Sequence, residues 1–233
     1  MIPLRDDNPS QRVPVVTRVL IALNVAAFLF EVGLGPALRD FVYGWGLVPL
    51  RFAYAFAGAE PLGPTLVTAL TSMFLHGGWL HLLGNAWFLW IFGDNVEDRL
   101  GHWRFLLFYL AGGLAAAFAH LLLNLGSPVP TVGASGAIAA VLGAYAAMFP
   151  RARVVTLVPI FFFFQVIALP AMLVLGLWFV VQIFTGTLSI GAGGGVAWWA
   201  HIGGFVFGMV VVILGRRTGR GGGNGPSQAW AEE

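Results

Sequence analysis

The sequence predicts an all-α, polytopic membrane protein built as a bundle of six transmembrane helices. Of its 233 residues, 58% are hydrophobic and only 9% are charged, whereas soluble domains carry about 25% charged residues. Six apolar runs are long enough to be spanning helices, since about 20 apolar residues cross a bilayer. The arginines collect on alternate connections between these runs, as they do in multi-span proteins.

The six predicted spans are apolar runs that end at charges or at proline and glycine. A long mixed segment, 35–71, follows the first of them. In order, the spans cover 15–34, 79–96, 103–125, 133–149, a stretch within 154–184, and 198–214. Pro159 and Pro170 leave the limits of the fifth span open. We therefore expect three parts: a short cytoplasmic segment at 1–14, a six-helix membrane domain at 15–214, and a disordered cytoplasmic tail at 215–233.

The basic residues predict the orientation. All twelve are arginines, and ten lie on one side of the predicted bundle: Arg5, Arg12, Arg18, Arg99, Arg104, Arg151, Arg153, Arg216, Arg217 and Arg220. Cationic residues near span ends favour the cytoplasm. Both termini are therefore expected there, and the arginine-, alanine- and glycine-rich composition suggests a bacterial cell (inner) membrane.

This topology brings three polar residues to a similar depth. Spans two, four and six all begin at the external face, and His81, Ser135 and His201 lie near their respective starts. Each residue adds only about 1.5 Å along a helix. The three side chains are therefore expected to share one site in the outer leaflet.

Ser135 and His201 are the candidate catalytic pair. A serine hydroxyl becomes a useful nucleophile when a neighbouring base takes its proton, and His201 is the candidate base. Gly133, Ala134 and Gly136 leave room around the hydroxyl for a peptide backbone. The pattern indicates acyl transfer inside the membrane.

Span six also carries a packing signal. Gly204 and Gly208, four apart, form a small-residue face of the kind that lets membrane helices pack closely. Packing of this face on span four would bring His201 within hydrogen-bonding reach of Ser135.

Acyl transfer needs hydrogen-bond donors for an oxyanion. His81 and Asn85 are four apart and share one face of span two. The backbone N–H of Ser135, at a helix N-terminus, is a third candidate donor. The acidic residues of span two lie at its opposite end, which favours a serine–histidine dyad over a triad.

Three motifs carry a family resemblance. They are His76-Gly-Gly-Trp-Leu-His81-Leu-Leu-Gly-Asn85, Gly133-Ala-Ser135-Gly136 and Ala200-His201-Ile-Gly-Gly204-Phe-Val-Phe-Gly208. In this order, and over residues 70–215, they resemble the motifs of the rhomboid intramembrane serine proteases. The resemblance implies cleavage of single-span membrane proteins at or just inside the bilayer.

The resemblance also assigns roles to individual positions. Ser135 would be the nucleophile and His201 the base, while His81 and Asn85 would stabilise the oxyanion and Gly133 would shape that part of the site. His76 matches a histidine with a structural role in the family. Glu97 matches an acidic residue and is expected to tie together the cytoplasmic end of the bundle.

Two features leave questions open. Family members often carry an aromatic residue one turn after the serine, stacked on the histidine, but Ala139 occupies that position here. Some other residue must then orient His201. The glycine-rich external loop at 186–195 suggests either a mobile lid over the site or a plain connector.

Other functions are less well supported. A catalytically silent rhomboid-like protein that binds membrane clients is the main alternative, although such proteins usually lack the serine or the histidine. A transporter or channel is disfavoured because the spans show no ladder of ionisable residues. With no cysteine and a net charge of +2, we expect no metal, no cofactor and no nucleic acid. The expected partners are single-span substrates and membrane lipids.

Overall fold

A computed structural model describes residues 1–160, 162–188 and 197–219. Its helices are α1 (Val15–Gly33), α2 (Leu38–Trp45), α3 (Pro49–Phe56), α4 (Leu62–Thr71), α5 (Trp79–Leu100), α6 (His102–Asn124), α7 (Ser135–Met148), α8 (Ala171–Leu188) and α9 (Trp198–Gly219). Its strands are β1 (Ile2–Asp6), β2 (Arg153–Ile160) and β3 (Phe163–Pro170). The predicted helical class is confirmed.

The helices differ in how well they suit a membrane span. Within the described residues, α1, α6 and the 198–216 part of α9 are each long and apolar enough to cross a bilayer. The α4 segment and α5 form a pair bent by 79°, while α7 and the 171–184 part of α8 are shorter apolar helices. Helix lengths alone thus give three or four spans, and the count of six stays a prediction.

Helix α7 lies at the centre of the bundle, and almost all of its side chains are buried. Its neighbours α6 and α9 approach it through glycines. A methyl group on Gly204 would overlap the carbonyl oxygen of Gly136, and one on Gly208 would overlap that of Ala140. The small-residue face predicted for the last span therefore lies directly against the helix that carries Ser135.

The structure adds a three-stranded antiparallel sheet that we did not predict, in the order β1-β2-β3. Its hairpin occupies the first half of the predicted fifth span, so only the part after Pro170 is helical. The physical reason is local: Val154, Val155 and Thr156 are β-branched and favour strands. A long apolar run does not by itself distinguish a strand from a helix.

One end of the bundle, which we call the sheet end, gathers this sheet, the start of α1 and the ends of α5 and α7. Glu97 of α5 is buried there and accepts hydrogen bonds from the backbone N–H groups of Val16 and Thr17, each at 2.8 Å. Asp6 of β1 accepts from the Tyr145 hydroxyl at 2.6 Å and from the Asn95 amide at 2.8 Å. The N-terminal segment is thus fixed to the bundle.

The opposite end, which we call the site end, gathers the starts of α5, α7 and α9. Helix α9 continues to Gly219, past the predicted end at 214. The predicted tail from 220 onward lies outside the described residues, as does the 189–195 part of the predicted lid or connector, whose first residues, 186–188, belong to α8.

Candidate active site

Ser135 is the first residue of α7, and the loop before it is tightly held. The Gly133 N–H donates to the Ser72 carbonyl at 2.8 Å. Gly133 has φ of +128°, and a Cβ atom there would lie 2.6 Å from Nε2 of His81. Only glycine suits a position that combines this backbone angle with this close approach.

The structure brings Ser135 and His201 together. His201 lies near the start of α9 and is buried, and its Nε2 is 2.7 Å from the Ser135 Oγ. This distance is typical of a strong hydrogen bond. The two helices that carry the pair are α7 and α9, whose backbones touch at Gly204 and Gly208. Close packing therefore sets the distance between the hydroxyl and the ring.

The other ring nitrogen of His201 has a partner that sequence analysis did not name. Its Nδ1 is 2.7 Å from Oε1 of Gln182, a buried residue of α8. The ring also packs near two tryptophans: its centroid lies 5.9 Å from that of Trp178 and 6.1 Å from that of Trp198. With Ala139 at the usual aromatic position, these residues of α8 and α9 surround the histidine instead.

The candidate oxyanion donors lie beside the serine. Nδ1 of His81 accepts from the Gly77 N–H at 3.4 Å, which leaves the ring proton on Nε2, the atom that faces Gly133. Asn85 is buried, and its Nδ2 has no hydrogen-bond partner within the described part of the chain. The Ser135 N–H, at the start of a helix, also has no partner within that helix.

These residues line one cavity of about 620 Å³. Its wall includes His81, Asn85, Ser135, Gln182 and His201. A cavity of this size is within the range of ligand-binding sites. It brings the nucleophile, its base and the unpaired donors onto one surface.

His76 and Glu97 are both buried and both accept or donate hydrogen bonds that involve α1. The buried His76 packs edge-on against His81, with ring centroids 5.3 Å apart. Its backbone N–H donates to the buried Glu31 carboxylate of α1 at 3.1 Å. Glu97 lies at the sheet end, far from Ser135, and receives the first N–H groups of α1. Across the described residues, no group of three or more metal-ligating side chains occurs.

Sequence analysis missed two polar or aromatic contributions from α8 and one from α6. Gln182 and Trp178 contact the base, and His120 lines the cavity, where its Nε2 lies 3.0 Å from the Thr131 hydroxyl. A signal for Gln182 was present, because a polar side chain within a long apolar run is unusual and tends to be functional.

The fold and the site together define a multi-pass membrane protein in which a buried histidine contacts a part-buried serine inside a helical bundle. The family model described as the Rhomboid domain matches residues 64–218. The chain therefore belongs to the rhomboid family.

Curated relatives agree with this assignment. Presenilin-associated rhomboid-like protein A, mitochondrial, of Danio rerio is 29% identical over 174 residues, which cover 71% of this chain and 42% of that protein. Rhomboid protease GluP of Bacillus subtilis is 47% identical over 75 residues, which cover 32% of this chain and 14% of that protein. RHOMBOID-like protein 9, chloroplastic, of Arabidopsis thaliana is 32% identical over 128 residues, 54% of this chain and 28% of that protein. The chain thus spans less than half the length of each of these relatives.

Proposed function

We propose that this protein is an intramembrane serine endopeptidase that cuts single-span membrane proteins in or near their transmembrane segment. The observation that carries the proposal is the 2.7 Å contact between Ser135 Oγ and His201 Nε2. It lies in a cavity that also holds an unpaired amide donor from Asn85. A silent client-binding protein would have no need of this combination.

The reaction follows from the arrangement. His201 Nε2 takes the hydroxyl proton as Ser135 Oγ bonds to the carbonyl carbon of the scissile peptide. The oxyanion that forms accepts hydrogen bonds from His81, Asn85 and the Ser135 N–H. His201 then gives its proton to the leaving amine, and an acyl-serine remains. Water, deprotonated by His201, hydrolyses that ester and restores the hydroxyl.

The substrate class follows from the position of the pair within the bundle. A peptide carbonyl in an intact helix is already hydrogen-bonded, so a substrate helix must unwind before Ser135 can reach it. We therefore expect segments with small residues or helix breakers to be cut faster than a poly-leucine segment. Equal rates for the two would contradict this expectation.

We further propose a bacterial cell membrane as the location, with the sheet end in the cytoplasm. The arginine distribution supports this orientation. The chain has no cysteine, so single-cysteine variants test it directly. In intact cells, a cysteine introduced at Ala59, between α3 and α4, should react with a membrane-impermeant maleimide. One at Gln11 should react only after lysis, and the reverse pattern would overturn the orientation.

A fluorophosphonate probe tests the proposed chemistry, because it labels only activated serines. The detergent-purified protein should be labelled, while the Ser135→Ala and His201→Ala variants should not. Ser127→Ala, a serine in the loop between α6 and α7, is the matched control and should retain labelling. Absence of labelling in a folded wild-type protein would instead favour the client-binding alternative.

A further inference from the structure

Gln182 is one of the contributions to the site that neither the motifs nor the family match assigns. It is buried, lies on α8, and places Oε1 2.7 Å from His201 Nδ1. The opposite ring nitrogen lies 2.7 Å from the Ser135 hydroxyl. A continuous line of hydrogen bonds therefore runs from α8 through the ring on α9 to α7.

We propose that Gln182 is a positioning residue that holds His201 in the tautomer required of a base. Its amide oxygen accepts the Nδ1–H, so the proton cannot reside on Nε2, and Nε2 is left to accept the Ser135 hydroxyl proton. The inference rests on the proposed protease function and adds the group that orients its base.

The tautomer matters because the two ring nitrogens of a neutral histidine have opposite roles. With the proton on Nδ1, Nε2 is an acceptor and His201 can deprotonate Ser135. With the proton on Nε2, the ring would donate to Ser135 Oγ and could not act as its base. An acceptor at Nδ1 selects the first state, as a buried carboxylate does in serine protease triads.

Gln182 differs from such a carboxylate in carrying no charge. The chain has no charged residue at all from 154 to 215, and burying an unpaired charge at this depth would be costly. An amide supplies the same acceptor without that cost. This explains how a histidine whose ring nitrogens face Gln182 and Ser135, and not a carboxylate, still has a fixed orientation.

Apolar packing holds the amide in place. Trp178 lies four residues before Gln182, on the same face of α8. Its ring contacts both His201 and Phe205. Phe179 also stacks on Phe205, with ring centroids 4.5 Å apart. These contacts dock α8 on α9 beside the ring, so the Gln182 amide has little freedom to turn away.

The test uses the full-length protein in detergent with two substitutions at one position. Gln182→Met keeps the length of the side chain and removes the acceptor, whereas Gln182→Glu keeps an acceptor oxygen. Ile183→Ala, half-exposed on the same helix, is the matched control. The readouts are the fluorophosphonate labelling rate, kcat and KM for a glycine-containing transmembrane substrate, thermal unfolding, and the ¹⁵N chemical shifts of His201, which report its tautomer.

For Gln182→Met we expect kcat and the labelling rate to fall by about 10- to 100-fold, the usual effect of misplacing a catalytic group. KM should change by less than about twofold, since no ground-state contact to substrate is lost. The ¹⁵N shifts should show a population protonated at Nε2. Gln182→Glu should recover most of the lost activity, and Ile183→Ala should match the wild type.

Two results would overturn the inference. One is a folded Gln182→Met variant with wild-type kcat and an unchanged His201 tautomer. The other is a folded Gln182→Glu variant that is as inactive as Gln182→Met although its ¹⁵N shifts show a neutral His201 protonated at Nδ1, because an acceptor at this position would then be irrelevant. Failure of the protease function itself looks different: the wild-type protein would not be labelled, whatever residue stands at 182.

Discussion

Two buried polar side chains, one at each end of the bundle, differ in their hydrogen bonding. At the sheet end, both carboxylate oxygens of Glu97 accept backbone hydrogen bonds from the start of α1. At the site end, the Asn85 Nδ2 is equally buried but has no partner within the described residues. Glu97 is thus fully hydrogen-bonded to α1, whereas Asn85 has a donor without an acceptor among the described residues.

The contrast concerns these two side chains and not the whole ends, because Oγ1 of Thr17 at the sheet end is also buried without a partner among the described residues. A buried polar group without a hydrogen bond costs about 1–3 kcal/mol, so a fold gains nothing from leaving one unpaired. At the site end the residue with the open donor lines a cavity, where we expect a reacting carbonyl to supply the missing acceptor. Substitutions at the two ends should therefore change different measured quantities.

The largest effect is expected for Asn85→Ala. Loss of one oxyanion donor typically lowers kcat by about 100- to 1000-fold, whereas the thermal unfolding temperature should hardly change, because Asn85 Nδ2 has no partner to lose. The measurement is kcat with a transmembrane substrate beside thermal unfolding in detergent. Asn95→Ala, at the sheet end, is the matched control and should lower stability with kcat retained. A destabilised Asn85→Ala variant with normal kcat would remove the distinction between the two ends.

Glu97→Ala should show the reverse pattern. It leaves two backbone N–H groups at the start of α1 without an acceptor, which should lower the free energy of unfolding by about 2–4 kcal/mol. The folded fraction should keep its kcat, since Ser135 and His201 are at the other end. Denaturant unfolding together with active-site titration measures both quantities. Glu97→Gln keeps one acceptor oxygen and should lose roughly half as much; a large fall in kcat for either variant would show that the ends are coupled.

A smaller effect is expected from pH at the sheet end. Burial raises the pKa of Asp6 from 3.8 to about 6, helped by the negative charge of Asp94 and opposed by the hydrogen bond from Tyr145. The folded state therefore binds the proton more tightly than the unfolded state, and stability should fall as pH rises from about 4 to about 6. Because the carboxyl is only half-buried and solvent screens it, we expect a change of about 1 kcal/mol.

Unfolding measured between pH 4 and pH 6 checks this expectation. The control is Asp6→Asn, which keeps an acceptor for Tyr145 but cannot titrate. The variant should show a weaker pH dependence than the wild type in that window, with the remainder coming from the neighbouring carboxyl of Asp94. An unchanged pH dependence in Asp6→Asn would assign it to another group.

The arrangement of the site could be predicted from the sequence because it follows from topology. Three helices that start at the same end of the bundle bring His81, Ser135 and His201 close together. Glycine spacing at 204 and 208 then indicated which helices touch. These signals are local or periodic patterns, and both kinds can be detected in a single sequence.

The sheet and Gln182 were missed for physical reasons. Hydropathy shows that residues 154–170 are apolar, but an apolar segment can form either a spanning helix or a β-hairpin. Strand β1 is recognisable only once β2 exists to pair with it. Gln182 contacts His201 only because α8 packs against α9. This tertiary contact cannot be predicted from the spacing of residues along the chain.

The first strand also has a consequence for self-association. β1 is a short edge strand with Pro3, a shift in register and a charged residue at Asp6, and such features discourage edge-to-edge pairing. β2, the neighbouring strand in the sheet, carries no charged residue from 154 to 160. Removing residues 2–6 would turn this apolar strand into an open edge. A shortened protein should therefore form dimers or larger species in size-exclusion chromatography, and a monodisperse profile identical to that of the full chain would show that β1 has no such protective role.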